Sequence, residues 1–196
     1  ALRRAILQND ARATAEIAEL QAELAEVDLA GLTGAALTQQ SVAPTTRWLR
    51  THEPEVFRGA AHFVGSYDWM LIALGADVHV ERNWALESGL YLIDGSPLPA
   101  VVEAAALEPG TLVPVLEPGT VAGELSAEMA EACGLRPGTA LVVGGADHVL
   151  SAFAAGVEDD GDWLVKLGGA GDILVATSSP VVDARLYLDA HPIPGR

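Results

Sequence analysis

One cysteine, Cys133, occurs in the 196 residues, so no disulfide can close within the chain and a reducing, cytoplasmic compartment is expected. Basic residues are scarce: 11 Lys and Arg stand against 27 Asp and Glu, for a formal net charge of −16. With no basic stripe to offset that charge, neither nucleic acid nor an anionic membrane is an expected partner. No apolar run approaches the roughly 18 residues that a spanning helix needs; residues 69–74 are apolar but short. Neither an initiator Met nor a signal peptide opens the sequence at Ala1, and the chain is expected to be an internal piece of a longer protein. The five histidines, His52, His62, His79, His148 and His191, are scattered. No His-x-x-x-His or Cys-x-x-Cys pair is present, so no metal ligands are assigned. A Walker loop and a Gly-x-Gly-x-x-Gly fingerprint are missing too. Gly-x-Ser-x-Gly is absent, and residues one apart on a helix point in different directions, which sets aside a hydrolase triad of Asp147, His148 and Ser151.

What is present is a large apolar share, 50% of the residues, enough to bury a sizeable core. Ile17, Leu20, Leu24 and Val27 step by three and four and predict a helix from Arg12, with Glu16, Glu19, Glu23 and Glu26 on its solvated face. Asn9 or Asp10 is expected to cap it and Gly31 to end it. Further helices are expected over residues 53–57, 68–74 with Gly75 as the stop, and 98–107. Strands are expected over 62–64, 78–80 and 89–94. Three Pro-Gly-Thr turns, at 109, 118 and 137, are unequally spaced and read as turns, not as a repeat. Ser126 is expected to cap a helix through Ala132 that Gly134 closes. Helices alternating with strands make an α/β pattern.

The chain is organised around residues 139–177. A buried strand over 140–143 leads through a glycine turn to Asp147, at the mouth of an amphipathic helix. An acidic turn follows, then two strands joined by Gly168-Gly169-Ala170-Gly171. Asp147 stands where a strand hands over to a helix, the place where open α/β sheets put their ligand crevice. On the residues alone it is more simply a helix N-cap; with a substrate hydroxyl against it, it is a general base. The glycine link, likewise, is either a hairpin turn or a nest of backbone N–H groups for phosphate.

Several segments, taken in order, resemble the FGGY family of carbohydrate kinases, and its xylulokinase-like branch in particular. Residues 6–12, Ile-Leu-Gln-Asn-Asp-Ala-Arg, are similar to that family's Trp-Asn-Asp-x-Arg, with Gln8 in place of the Trp. Residues 43–49 and 52–58 resemble its Pro-Lys-Leu-x-Trp-Leu and Glu-Pro-Glu-x-Phe, with Thr45 replacing the Lys. Gly144-Gly145-Ala146-Asp147 resembles the Gly-Gly-x-Asp that carries the catalytic base, and residues 167–171 the Gly-Thr-Ser phosphate loop without its hydroxyls.

The resemblance implies an actin-like fold of two ribonuclease-H-like α/β domains with a cleft between them. Residues 1–160 would be an incomplete N-terminal, sugar-binding domain, and residues 161–196 the beginning of the C-terminal, ATP-binding one. It implies ATP-dependent phosphorylation of a small ketose such as xylulose or ribulose, or of a polyol, at a primary hydroxyl. Asp147 would be the general base, and Asp10, Arg12 and His148 would line the substrate site. Gly168, Gly169, Ala170 and Gly171 would bind phosphate through backbone N–H groups alone. ATP and Mg²⁺ are the implied cofactors, and a sugar or polyol and a possible homodimer the implied partners. The isolated piece is expected to show little or no catalysis. The competing expectation is a non-catalytic sugar sensor of the same fold. An apolar face around residues 163–175 is expected to be left uncovered.

Overall fold

The computed structural model describes residues 1–167 and 171–193. The three-and-four spacing of apolar residues does build a helix, α1 (Thr14–Glu23), but it is shorter than expected. Asp10 caps nothing: its carboxylate accepts from the backbone N–H of Arg12 at 3.1 Å and from its Nε at 2.9 Å. Gly31 does not end α1 either, because Asp28 starts a second helix, α2 (Leu29–Thr33), by accepting from Gly31 N–H at 3.0 Å. Gly34 closes α2 with φ 87°, the left-handed conformation glycine adopts without strain.

Next come α3 (Val42–His52), α4 (Pro54–Gly59) and α5 (Ser66–Leu74), the last stopped at Gly75 as its sequence predicts. Residues 62–64 are not a strand: no described segment pairs with them, and Phe63 and Val64 instead pack half-buried against the main core. Strand β1 (Val80–Glu81) runs straight into α6 (Arg82–Glu87). Residues 89–94 make only an isolated bridge, Tyr91 to Pro97, because the Leu92 N–H turns back to Ser96 O at 2.7 Å. Helix α7 (Pro99–Ala104) and a 3-10 turn at Pro109–Thr111 lead to β2 (Val115–Leu116), which lies parallel to β1.

Strand β3 (Val121–Glu124) and helix α8 (Ala127–Cys133) follow, with Ser126 accepting from Met129 N–H and Gly134 closing the helix, as expected. Strand β4 (Ala140–Val142) pairs antiparallel with β3. It is not buried throughout: Leu141 is buried, whereas Ala140 and Val142 face solvent. Gly123 is where the register shifts, and a Cβ there would sit 2.9 Å from the Ala76 Cα. Helix α9 (Asp147–Ala154) is followed by the antiparallel hairpin of β5 (Trp163–Leu167) and β6 (Gly171–Val175).

Two apolar clusters hold these elements. Leu20, Leu37, Val80, Leu90, Tyr91 and Val101 centre the larger, and Ala122, Leu125, Ala130 and Leu141 the smaller, under β3, β4 and α8. The hairpin has one half-buried face, carrying Leu164, Lys166, Asp172 and Leu174. Its other face exposes Trp163, Val165, Leu167, Ile173 and Val175, the uncovered apolar face the sequence implied. Beyond the hairpin the chain returns to the first elements. Leu188 N–H donates to Gly34 O at 3.0 Å. Ala190 N–H donates to Asn83 Oδ1 at 2.6 Å, and Asn83 Nδ2 donates to Ala190 O at 3.2 Å.

Candidate functional site

Gly144 and Gly145 turn the chain out of β4, and α9 opens on Asp147 with Ala146 at the N-cap position. The Asp147 carboxylate accepts no capping hydrogen bond and its side chain is 93% exposed. The capping role, the simpler one from sequence, is therefore not the one it plays. Ser151 spends its hydroxyl on the Asp147 backbone carbonyl, so no triad forms.

Two cations flank this carboxylate. His148 Nδ1 is 3.6 Å from Asp147 Oδ1, and Lys166 Nζ is 4.0 Å from Oδ2. Lys166 reaches over from β5, and Asp172 on β6 holds it at 3.6 Å. The far side of the His148 ring meets two more acids. Nε2 is hydrogen-bonded to Asp189 Oδ2 at 3.1 Å, and Glu87 Oε1, at the end of α6, lies 3.8 Å away. Trp84, Glu87, Asp147, His148, Lys166 and Asp189 all line one open groove.

The Asp189 hydrogen bond holds the His148 imidazolium pKa up at about 9, against the effect of burial and with help from the charges of Asp189, Glu87 and Asp147. Burial pushes Glu87 up to about 7, reinforced by the Asp189 charge and opposed by His148. Both groups hold a proton more tightly in the folded chain than in the unfolded one. The share of stability due to Glu87 is full below its usual 4.5 and is lost as pH rises to about 7. That due to His148 is full below 6.5 and is lost as pH rises through about 9. The melting temperature is expected to fall in two stages over these windows, and His148→Gln to remove the upper one. Melting curves across the pH range check this.

Glu87, His148 and Asp189 also form a group whose ligand atoms lie within 4.8 Å of one another. A ring nitrogen that carries a proton to Asp189 has no lone pair for a metal, so the group behaves as an ion pair with a second carboxylate beside it. Asp147 and Asp172 present the oxygen donors Mg²⁺ prefers, on either side of an ammonium suited to phosphate.

Of the residues expected to line the substrate site, His148 is beside Asp147. Asp10 and Arg12 are engaged with each other at 2.6 Å, and Arg12 also sits 4.8 Å above the Trp48 ring and 3.9 Å from Glu53. Neither lines the groove that holds Asp147. Gly168, Gly169 and Ala170 lie outside the described residues; Gly171 opens β6, exposed, opposite Leu167. Sequence reasoning missed Glu87, Lys166 and Asp189. Lys166 left one signal: it is the only lysine in the chain. The other two left none, because they reach His148 only through the fold.

Residues 1–154 match the N-terminal domain of the FGGY family of carbohydrate kinases. The chain is 32% identical over 192 residues to autoinducer-2 kinase of Escherichia coli, a match covering 95% of this chain and 36% of that protein. Among solved structures it is similar to xylulose kinase from Rhodospirillum rubrum, with a TM-score of 0.93 and 42% identity over 98% of this chain and 40% of the other. Glycerol kinase from Plasmodium falciparum, solved with ADP, shares the fold at a TM-score of 0.78 and 15% identity, over 89% of this chain and 35% of that one. The chain thus spans about 36% of the length of the curated relatives it matches.

Proposed function

Because this chain belongs to the FGGY family of carbohydrate kinases, we propose that the whole protein transfers the γ-phosphoryl group of ATP to a primary hydroxyl of a small sugar. A ketose such as xylulose or ribulose, or a polyol, is the acceptor. The observation that carries this reading is Asp147: an uncapped, exposed carboxylate at a helix start, with cations on both sides.

Asp147 orients the acceptor hydroxyl and takes its proton as the oxygen attacks the γ-phosphorus. The bond from that phosphorus to the bridging oxygen breaks, and the electron pair leaves with ADP. Such transfer asks little covalent work of the protein; positioning and charge neutralisation supply most of the rate. Mg²⁺ bound with ATP would supply part of that neutralisation, and Asp147 and Asp172 are the carboxylates that would hold it. Residues 168–171 are assigned to the phosphates. His148 donates to the sugar, and Glu87 beside it accepts from a neighbouring hydroxyl. Asp10 and Arg12, paired with each other outside the groove, are assigned to the substrate site on the motif alone. Residues 1–160 are assigned to the sugar-binding domain and 161–196 to the start of the ATP-binding one. The family match ending at residue 154, just before the hairpin, supports that division.

The test is a coupled ADP-release assay of the whole protein with Mg-ATP against pentuloses, hexuloses and polyols. One acceptor standing well above the rate with water is the expected result. No acceptor above that rate, with sugars still raising the melting temperature, would replace the kinase with a sensor.

A further inference from the structure

The link assigned above to phosphate, residues 168–171, reads Gly-Gly-Ala-Gly and carries no side-chain hydroxyl. Backbone N–H groups carry only partial charges, whereas the γ-phosphoryl group in transfer carries full negative charge on its outer oxygens. A loop without side-chain donors leaves that charge poorly met, unless another group nearby supplies a cation.

Lys166 is placed to be that group. It is the only lysine in the chain, and it stands on β5 two residues before Gly168. The alternation of the hairpin turns it onto the half-buried face, with Asp172, while Val165 and Leu167 point to solvent. Its Nζ is 4.0 Å from the Asp147 carboxylate and 3.6 Å from that of Asp172. An acceptor hydroxyl bound to Asp147 would therefore stand beside this ammonium, as would the phosphoryl group it attacks. The side chain is 32% exposed, so a ligand can reach it. A structural ion pair explains the placement poorly. Both carboxylates are at or beyond 3.6 Å, and exposed pairs of this kind contribute little to stability. An ammonium held loosely between two acids, with its donors unspent, is free to turn to a phosphate.

We propose that Lys166 is a catalytic residue that contacts the γ-phosphoryl group of ATP, as the cation that stands in for the missing loop hydroxyls, and that Asp172 positions it. This rests on the kinase reading above. The ammonium takes and gives no proton in the step: it follows the phosphoryl group from the nucleotide to the acceptor oxygen, and Asp147 alone receives the proton. As a compact charge on a flexible stem, lysine suits a group that moves.

The experiment compares Lys166→Met, Lys166→Gln and Lys166→Arg with the wild type in the whole protein. Calorimetry reads binding of a non-hydrolysable ATP analogue and of ADP, each with Mg²⁺, and melting curves confirm folding. A charge-assisted contact to the γ-phosphoryl group predicts that Met and Gln weaken the analogue roughly 10- to 100-fold while leaving ADP unchanged, and that Arg restores part of the loss. The same two variants are expected to lower kcat more than the KM for sugar. Unchanged analogue binding in both neutral variants overturns the proposal. So does an equal loss for analogue and ADP, which would make Lys166 a prop for the hairpin. Failure of the kinase reading looks different: the analogue and ADP bind as described, yet no acceptor is phosphorylated.

Discussion

Asp147→Asn in the whole protein is expected to lower sugar-dependent ADP formation by about 10³-fold, within the range that removal of a general base produces. Its melting temperature is expected to stay where it was. Both halves follow from the same geometry. Asp147 caps no backbone N–H and its side chain is 93% exposed, so the fold leans on it only through ion pairs with His148 and Lys166, which at such exposure contribute little. The amide keeps the shape and can still accept a hydrogen bond from the hydroxyl, but it cannot take the proton. The loss should therefore fall on kcat, with the KM for sugar little changed. Assays at saturating Mg-ATP, set beside melting curves, separate the two. A variant that keeps near-normal turnover would remove Asp147 from the role of base.

Glu81→Ala is expected to have the opposite profile, a large loss of stability from a residue that touches no substrate. Glu81 is fully buried at the N-terminus of α6. Its carboxylate accepts from the Tyr67 hydroxyl at 3.0 Å, from Asn83 Nδ2 at 3.2 Å and from Trp84 N–H at 3.2 Å. Burial pushes its pKa up, and hydrogen bonds from the backbone of Asn83 and Trp84 and from the Tyr67 hydroxyl pull it back. Alanine leaves three donors facing an empty space, at about 1–3 kcal/mol for each one left unmet. With partial relaxation the sum is about 4 kcal/mol, a fall in melting temperature of roughly 10 °C for a chain of this size. Glu81→Gln keeps one acceptor oxygen and should lose less. Glu55→Ala, whose side chain is 87% exposed, should lose nothing measurable. Equal melting of the Glu81→Ala and Glu55→Ala proteins would dismiss the network as a source of stability.

The sequence was readable wherever structure is decided by near neighbours. Ser126 and Gly134 bracket α8 because a cap and a left-handed stop act within a single turn. Gly75 stops α5 for the same reason. The β5–β6 hairpin and the start of α9 at Asp147 are also local events. Strands misled because pairing depends on distant partners. Residues 62–64 and 89–94 have strand-like composition, yet no other described segment pairs with them to complete a ladder. The short pair that does form, β1 with β2, joins residues 35 apart. The site divides along the same line. Asp147 and His148 are visible as neighbours at a helix start, whereas Asp189 meets His148 across 41 residues. Only a fold can bring that carboxylate to that ring. Asp10 and Arg12 show a further limit, since a motif names residue types without saying that the two will satisfy each other.

The return of the chain to Asn83 sets an order on how this protein is made. The Asn83 side chain is fully buried and its two ends are met by the backbone of Ala190, 107 residues further on. A ribosome releases the first residues of α6 well before it has added Ala190. Through that interval the amide oxygen must stay hydrated or go unmet, and in the second case it costs about 1–3 kcal/mol. Segments up to β4 can collapse on their two clusters as they emerge, but the Asn83 amide is met in full only once Ala190 is out. Synthesis that pauses within the hairpin would hold the nascent chain in that loosened form, open to chaperones and proteases until Ala190 arrives.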